Sequence, residues 1–335
     1  MKNLKTNYMG IEIDNPIVVG ASNLITKVDK LKMAEENGAA AIVYKSLFEE
    51  QIQLERLELD EELNEFNDIS AEIQNVHPHF EHAGATEHLI NLRNAKESVS
   101  VPVIASLNAV NNQTWIEYAK LISQTGVDGI ELNLYLNSWD MDKDSNHIEN
   151  EQIRIVKEIK ESITIPLSVK LSSDYTNSMQ FIAKLDKVGV NTFVLFNSFF
   201  EPDIDIEKVQ HIKKFNFSHE GDYKKSLRFA GLLFNNIKAD ICCTHGVFTG
   251  ADAIKLLLSG ASSVQVVSAL YQNGFSQIAK MKTEISNWME EKNYNSIDEF
   301  KGLLSKSKLN NDPFIYKRGQ YVDLLMNAEE VFGIK

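Results

Sequence analysis

Short apolar, β-branched runs alternate with longer stretches of helical periodicity from about residue 16 to residue 291, the pattern of repeated βα units feeding a parallel sheet. Eight runs read as strands: 16–21, 40–45, 103–107, 129–133, 167–171, 192–196, 239–243 and 263–267. Their entries are of two kinds. Strands 2, 4, 6 and 8 follow a glycine, in NGAAAIV, TGVDGIE, VGVNTFV and SGASSVQ, where Gly38, Gly126, Gly189 and Gly260 suit the position just past a helix end. Strands 1, 3 and 5 follow a proline, in NPIVV, VPVIA and IPLSV. This two-unit rhythm over eight strands predicts a closed α/β TIM (β/α)₈ barrel rather than an open doubly wound sheet, and no G-x-G-x-x-G follows the first strand.

Two long connections, 47–80 and 199–222, fall after strands 2 and 6, on the face where a barrel carries its chemistry. The carboxylate-rich stretch 49–65 reads either as part of such a cover or as a solvated acidic helix. Residues 1–304 are expected to form one barrel domain with these long βα loops. Residues 305–335 are expected to form a helical C-terminal extension packed on it.

Composition narrows the class of partner. The 335 residues carry a formal net charge of −13, and no lysine or arginine cluster offsets it, so a polyphosphate backbone is an unfavourable partner. The two cysteines, Cys242 and Cys243, are sequence neighbours and poorly placed to staple distant segments, which fits a reducing compartment. Both read as small core residues of strand 7, one facing into the barrel and one against a helix. No apolar stretch approaches the length of a membrane span, and the lysines near the N-terminus are not followed by an apolar run. A soluble, cytoplasmic protein is expected, with a homodimer left open.

The polar residues at the C-terminal ends of the strands converge on one mouth. Strand 2 ends in Lys45-Ser46, strand 3 runs into Asn108, strand 4 ends in Asn133, strand 5 carries Lys170 and strand 6 delivers Asn197-Ser198. Each carboxamide offers a donor and an acceptor, so the set suits a planar ligand with alternating carbonyl and N–H edges, such as a flavin ring or a pyrimidine. Lys45 and Lys170 read as ligand contacts, against the alternative of buried structural ion pairs. After strand 7 comes THGVFTG and after strand 8 comes Ser268-Ala269-Leu270. In many barrels these two loops bind phosphate through backbone N–H groups and a helix N-terminus, with Gly246 permitting close approach and Ser268 adding a hydroxyl. His245 is either a phosphate partner or a surface residue. His77, His79 and His82 match no strong metal-ligand spacing and no cysteine joins them, so no metal site is expected.

Over residues 9–304 the chain resembles the dihydroorotate dehydrogenase family. The resemblance is clearest in NPIVVGASN, in AIVYKS and in THGVFTGADAIKLLLSGASSVQVVSAL. It implies FMN as cofactor, with Ala21, Ser22, Lys45, Ser46, Asn108, Asn133, Lys170, His245, Gly246 and Ser268 around it. It implies that Asn133 and Asn197, with Ser198, bind a small planar substrate. The family's Gly-Gly and Gly-Thr pairs at the phosphate end read here His245-Gly246 and Val267-Ser268. The segment that supplies the family's catalytic base reads Asn133-Leu134-Tyr135-Leu136-Asn137-Ser138. Leu136 stands at the base position and can neither accept nor donate a proton, leaving Tyr135 as the candidate proton carrier, or, where Tyr135 is instead an aromatic lid over the pocket, Lys45.

The sequence thus points to an FMN-dependent oxidoreductase acting on a carbon–carbon bond of a small planar substrate, in pyrimidine metabolism and resembling dihydroorotate dehydrogenase. The alternative is a flavin- or phosphate-binding barrel without that activity. An enzyme reducing uridine in transfer RNA is disfavoured by the acidic charge.

Overall fold

The computed structural model describes residues 2–55, 84–108, 112–134, 141–197, 202–212, 217–309, 316 and 318–327. Eight parallel strands close into a barrel: Ile17–Val19, Ala41–Val43, Val103–Asn108, Gly129–Leu134, Leu167–Leu171, Thr192–Leu195, Asp240–Cys243 and Ser263–Val266. Each pairs with the next in chain order, and the eighth returns to the first with Gln265 beside Val18. They coincide with the eight sequence runs to within two residues at each end. The four glycines before strands 2, 4, 6 and 8 all have positive φ, as a helix-ending residue of that kind should.

Strand alternation divides the core in two. Outward-facing residues such as Ile42, Leu132, Val169 and Cys243 join the helices in one large cluster. Inward-facing Val18, Ala41, Val43, Ile104, Val194 and Cys242 form a second cluster inside the barrel with Tyr8, Met9 and Ile13. Cys242 and Cys243 therefore face opposite ways, as a period of two requires. Burial pushes the Cys242 thiol up to about 12, as expected of an inert core residue.

The residues that close the barrel floor belong to an antiparallel hairpin, Thr6–Tyr8 with Ile11–Ile13. Its turn is seated by Met9 N, which donates to Thr192 Oγ1 at 2.9 Å. At its first strand, Thr6 Oγ1 donates to Ser262 O at 2.8 Å. At the opposite end, a second ribbon, Asp203–Asp205 with Gln210–Ile212, stands in the connection after the sixth strand. Residues 49–55 are helical with Glu49 and Ile52 buried, so the beginning of the acidic stretch packs rather than lying free in solvent. Near the C-terminus, Gly302 N, Leu304 N and Lys306 N donate to Leu257 O, Leu258 O and Gly231 O. Arg228 reaches Tyr316 O at 3.1 Å. Among the described residues no helix is long and apolar enough to cross a membrane.

Candidate functional site

A pocket opens at the C-terminal ends of the strands, lined by Ala21, Lys170, Phe196, Asn197, Ser218, Thr244, His245, Gly246, Val247, Gln265, Val267 and Ser268, with about 680 Å³ of space including its open side. It gathers six of the residues singled out from sequence: Ala21, Lys170, Asn197, His245, Gly246 and Ser268. Asn133 joins them indirectly, because Asn197 Nδ2 donates to Asn133 Oδ1 at 3.0 Å.

Lys45, Ser46 and Asn108 stand apart on strands 2 and 3. Ser46 Oγ and Ser106 Oγ share a 2.7 Å hydrogen bond, and Asn108, half-buried, pairs with Phe48. Lys45 is half-buried. Burial, and then the Lys45 charge, hold the His88 imidazole down at about 4. Tyr135, Leu136, Ser198, His77, His79 and His82 lie outside the described residues. Among the described residues no group of three or more His, Cys, Asp or Glu is placed to hold a metal ion.

The phosphate end has a definite local build. His245 and Gly246 both sit in the left-handed region, at φ 73°, which explains why the family pattern carries two glycines there. A Cβ added to Gly246 would lie 2.7 Å from Asp222 Cβ and 2.8 Å from both Asp222 N and His219 O. Gly246 is thus required by the turn at 219–222 packed against it, independently of any ligand. His245 Nε2 lies 3.5 Å from Asp222 Oδ2, so the histidine is tied to that same turn. Across the pocket, Ser268 Oγ accepts from Ser218 N at 3.1 Å and from Ser218 Oγ at 2.9 Å.

The helix after strand 7, Gly250–Ser259, does not offer its N-terminus to an anion. Thr249 and Asp252 form a reciprocal capping box, and Gly250 N donates to Glu284 Oε2 at 2.6 Å. Two carboxylates already occupy that end. Any phosphate donors must come from the 245–247 turn and from the start of the 268 segment.

The pocket floor holds residues that the sequence reading missed. Glu131, Gln265 and Tyr8 form a buried polar cluster beneath Lys170, with Gln265 Nε2 donating to Tyr8 OH at 3.0 Å. Glu131 lies two residues before Asn133 on one strand, so strand period already places both on the inner face. Tyr8 carries no such signal, since its partners are more than a hundred residues away.

The donor set fits a flavin. A ring with alternating donors and acceptors would meet Lys170 and the Asn133–Asn197 carboxamides, and its phosphate would meet backbone and hydroxyl donors at 246 and 268. The Ser22 hydroxyl, next to pocket-lining Ala21, is buried and has no hydrogen-bond partner among the described residues, an unmet polar group that a bound ligand can satisfy.

A family model described as dihydroorotate dehydrogenase matches residues 78–289. The chain is 24% identical over 313 residues to the dihydroorotate dehydrogenase B (NAD(+)) catalytic subunit of Thermoplasma acidophilum, covering 90% of this chain and 99% of that one. It is 27% identical to the protein of the same name from Pyrococcus abyssi, covering 90% and 99%. It is also 22% identical to the NAD-dependent dihydropyrimidine dehydrogenase subunit PreA of Escherichia coli K12, covering 91% and 78%.

Proposed function

The chain belongs to the dihydroorotate dehydrogenase family, and from that premise we propose that it is an FMN-dependent oxidoreductase acting on a carbon–carbon bond of a small planar, pyrimidine-like substrate. The observation that carries this reading is the pocket where Lys170, Asn197, Gly246 and Ser268 meet at one barrel mouth. When bound, FMN supplies hydride transfer to or from a substrate carbon. The chain's own groups bind and orient. Ser268 and the 245–247 backbone hold the phosphate, and Lys170 stabilises negative charge on the ring. Asn133 and Asn197, already sharing a hydrogen bond, present amide edges to ring or substrate, with Ser198, Ala21, Ser22, Lys45, Ser46 and Asn108 completing the surround.

With leucine at position 136, proton removal from carbon lacks its base. A free phenol titrates near 10, which makes the Tyr135 side chain better suited to donating a proton to a substrate being reduced than to removing one, with Lys45 as the other carrier. The relatives' names include the word subunit, and this chain has no Gly-rich dinucleotide fingerprint after its first strand. A second polypeptide carrying the nicotinamide site is the consistent partner.

An absorbance spectrum of freshly purified protein, followed by anaerobic titration with dihydroorotate and with dihydrouracil, tests the reading. Flavin bands are expected, with slow or no bleaching by dihydroorotate. Colourless protein that does not take up added FMN refutes it.

A further inference from the structure

Beneath the pocket floor, three segments far apart in sequence bring a fully buried carboxylate to the barrel axis. Glu131 has no exposed surface. Its Oε2 accepts from Tyr8 OH at 3.1 Å and from Gln265 Nε2 at 2.5 Å. Its other oxygen, Oε1, has no hydrogen bond among the described residues and lies 3.9 Å from Lys170 Nζ. Lys170 Nζ in turn donates to Gln265 Oε1 at 3.3 Å. The ammonium that faces the pocket is therefore held from below by one carboxylate and one amide, and both are themselves pinned.

The other titratable groups beside the pair are neutral. Burial, and then the nearby Glu131 charge, raise the Tyr8 phenol well above its ordinary range, so it acts as a donor. The Cys242 thiol is likewise raised by burial. A lone ammonium at the floor would favour any negative charge above it without restraint. One with a carboxylate at 3.9 Å favours it much less, because the two fields largely cancel a few ångströms away.

We propose that Glu131 is the internal counter-ion of Lys170, a positioning residue that fixes the ammonium at the pocket floor and tempers its charge, so that the pair rather than the lysine alone sets the midpoint potential of the bound flavin. This rests on the proposed function's placement of the ring above Lys170. The roles divide by geometry. Lys170 lines the pocket, Gln265 bridges it to Glu131, and Tyr8, on the hairpin under the barrel, orients the carboxylate without reaching the ligand.

The test is the midpoint potential of FMN-loaded protein, measured by equilibration with redox dyes. Glu131→Gln keeps size and hydrogen-bonding capacity but removes the charge. It is expected to raise the affinity for reduced over oxidised flavin about tenfold, a positive shift of ~30 mV for a two-electron couple. In a Lys170→Met background, where the carboxylate stands unpaired, the same change is expected to raise the potential at least as much. Tyr8→Phe removes one donor from the carboxylate and leaves its charge less compensated, so a smaller shift in the opposite, negative direction is expected. A merely structural role for Glu131 predicts no such opposition of sign.

An unchanged or lowered potential in Glu131→Gln overturns the proposal. Where that variant does not fold, Tyr8→Phe carries the test, and an unchanged or raised potential in it overturns the proposal. Wild-type protein that binds no FMN refutes the proposed function and this inference together, whereas bound FMN with an unresponsive potential refutes this inference alone.

Discussion

Replacing Lys170 by methionine is expected to damage the fold as well as the site. The change keeps the length of the side chain but strips the ammonium from a carboxylate with no exposed surface. Glu131 would keep its bonds from Tyr8 and Gln265, yet its Oε1, without a hydrogen bond among the described residues, would lose the neighbouring charge. Removing one partner of a buried ion pair typically costs about 3–5 kcal/mol, because it leaves an uncompensated buried charge. Lys170 itself is only 11% exposed at its side chain, so solvent screening does little to reduce that figure.

The double variant Lys170→Met, Glu131→Gln removes both charges and should recover most of the loss, since replacing a buried pair by neutral groups of similar volume is often neutral or favourable. Urea unfolding of the wild type, both single variants and the double variant gives the coupling energy directly. If Lys170→Met lies within about 1 kcal/mol of wild type, or the double variant is no more stable than that single one, the buried-pair argument fails.

Four further outcomes are expected. His88, held near 4 by burial and the Lys45 charge, stays neutral in the fold while an unfolded chain would protonate it near 6.5. Stability should therefore fall as pH drops through that window, by about 2 kcal/mol between pH 7 and pH 5, and His88→Leu should flatten the dependence in urea titrations. Gly246→Ala should destabilise the protein by at least the ~1–2 kcal/mol of a left-handed residue, because its Cβ meets the 219–222 turn. Loss of flavin in that variant is thus not diagnostic of the phosphate. Ser268→Ala is the cleaner probe: it should weaken FMN about tenfold and leave riboflavin, which lacks the phosphate, nearly unaffected in fluorescence titrations. Tyr135→Phe should lower turnover about 100-fold in the reducing direction if the phenol donates the proton, and wild-type turnover with chemistry rate-limiting would exclude that role.

The barrel was legible because its punctuation is local. Prolines before strands 1, 3 and 5 and glycines before strands 2, 4, 6 and 8 fix where each βα unit begins, and β-branched runs do the rest. The hairpin at 6–13 was not, since three-residue strands give no periodic signal and its stability comes from partners such as Ser262 and Thr192. At the mouth, residue types at strand ends were enough to select Lys170, Asn197, Gly246 and Ser268. What they could not give was the reason for each. Gly246 answers first to the adjacent turn, and the helix N-terminus expected to help with phosphate is already capped by Asp252 and Glu284.

The two readings weighed for Lys170, ligand contact and structural ion pair, need not exclude each other, and the reason is geometric. A strand end at a barrel mouth has one layer of side chains toward the ligand and the next toward the axis, so an ammonium of ordinary length reaches both. The desolvation of Glu131 is offset by Lys170, and the orientation of Lys170 is fixed by Glu131 and Gln265. Substitutions at 131, 170 and 265 should therefore be strongly non-additive, in stability and in flavin potential alike. The phosphate end is built separately: Ser268 binds to Ser218, His245 and Gly246 pack on the 219–222 turn, and Thr244 Oγ1 meets the axial cluster at the backbone oxygen of Gln265 rather than at a side chain. Changes there should add to those at the axis, so that cofactor affinity and cofactor potential can be altered separately in this barrel.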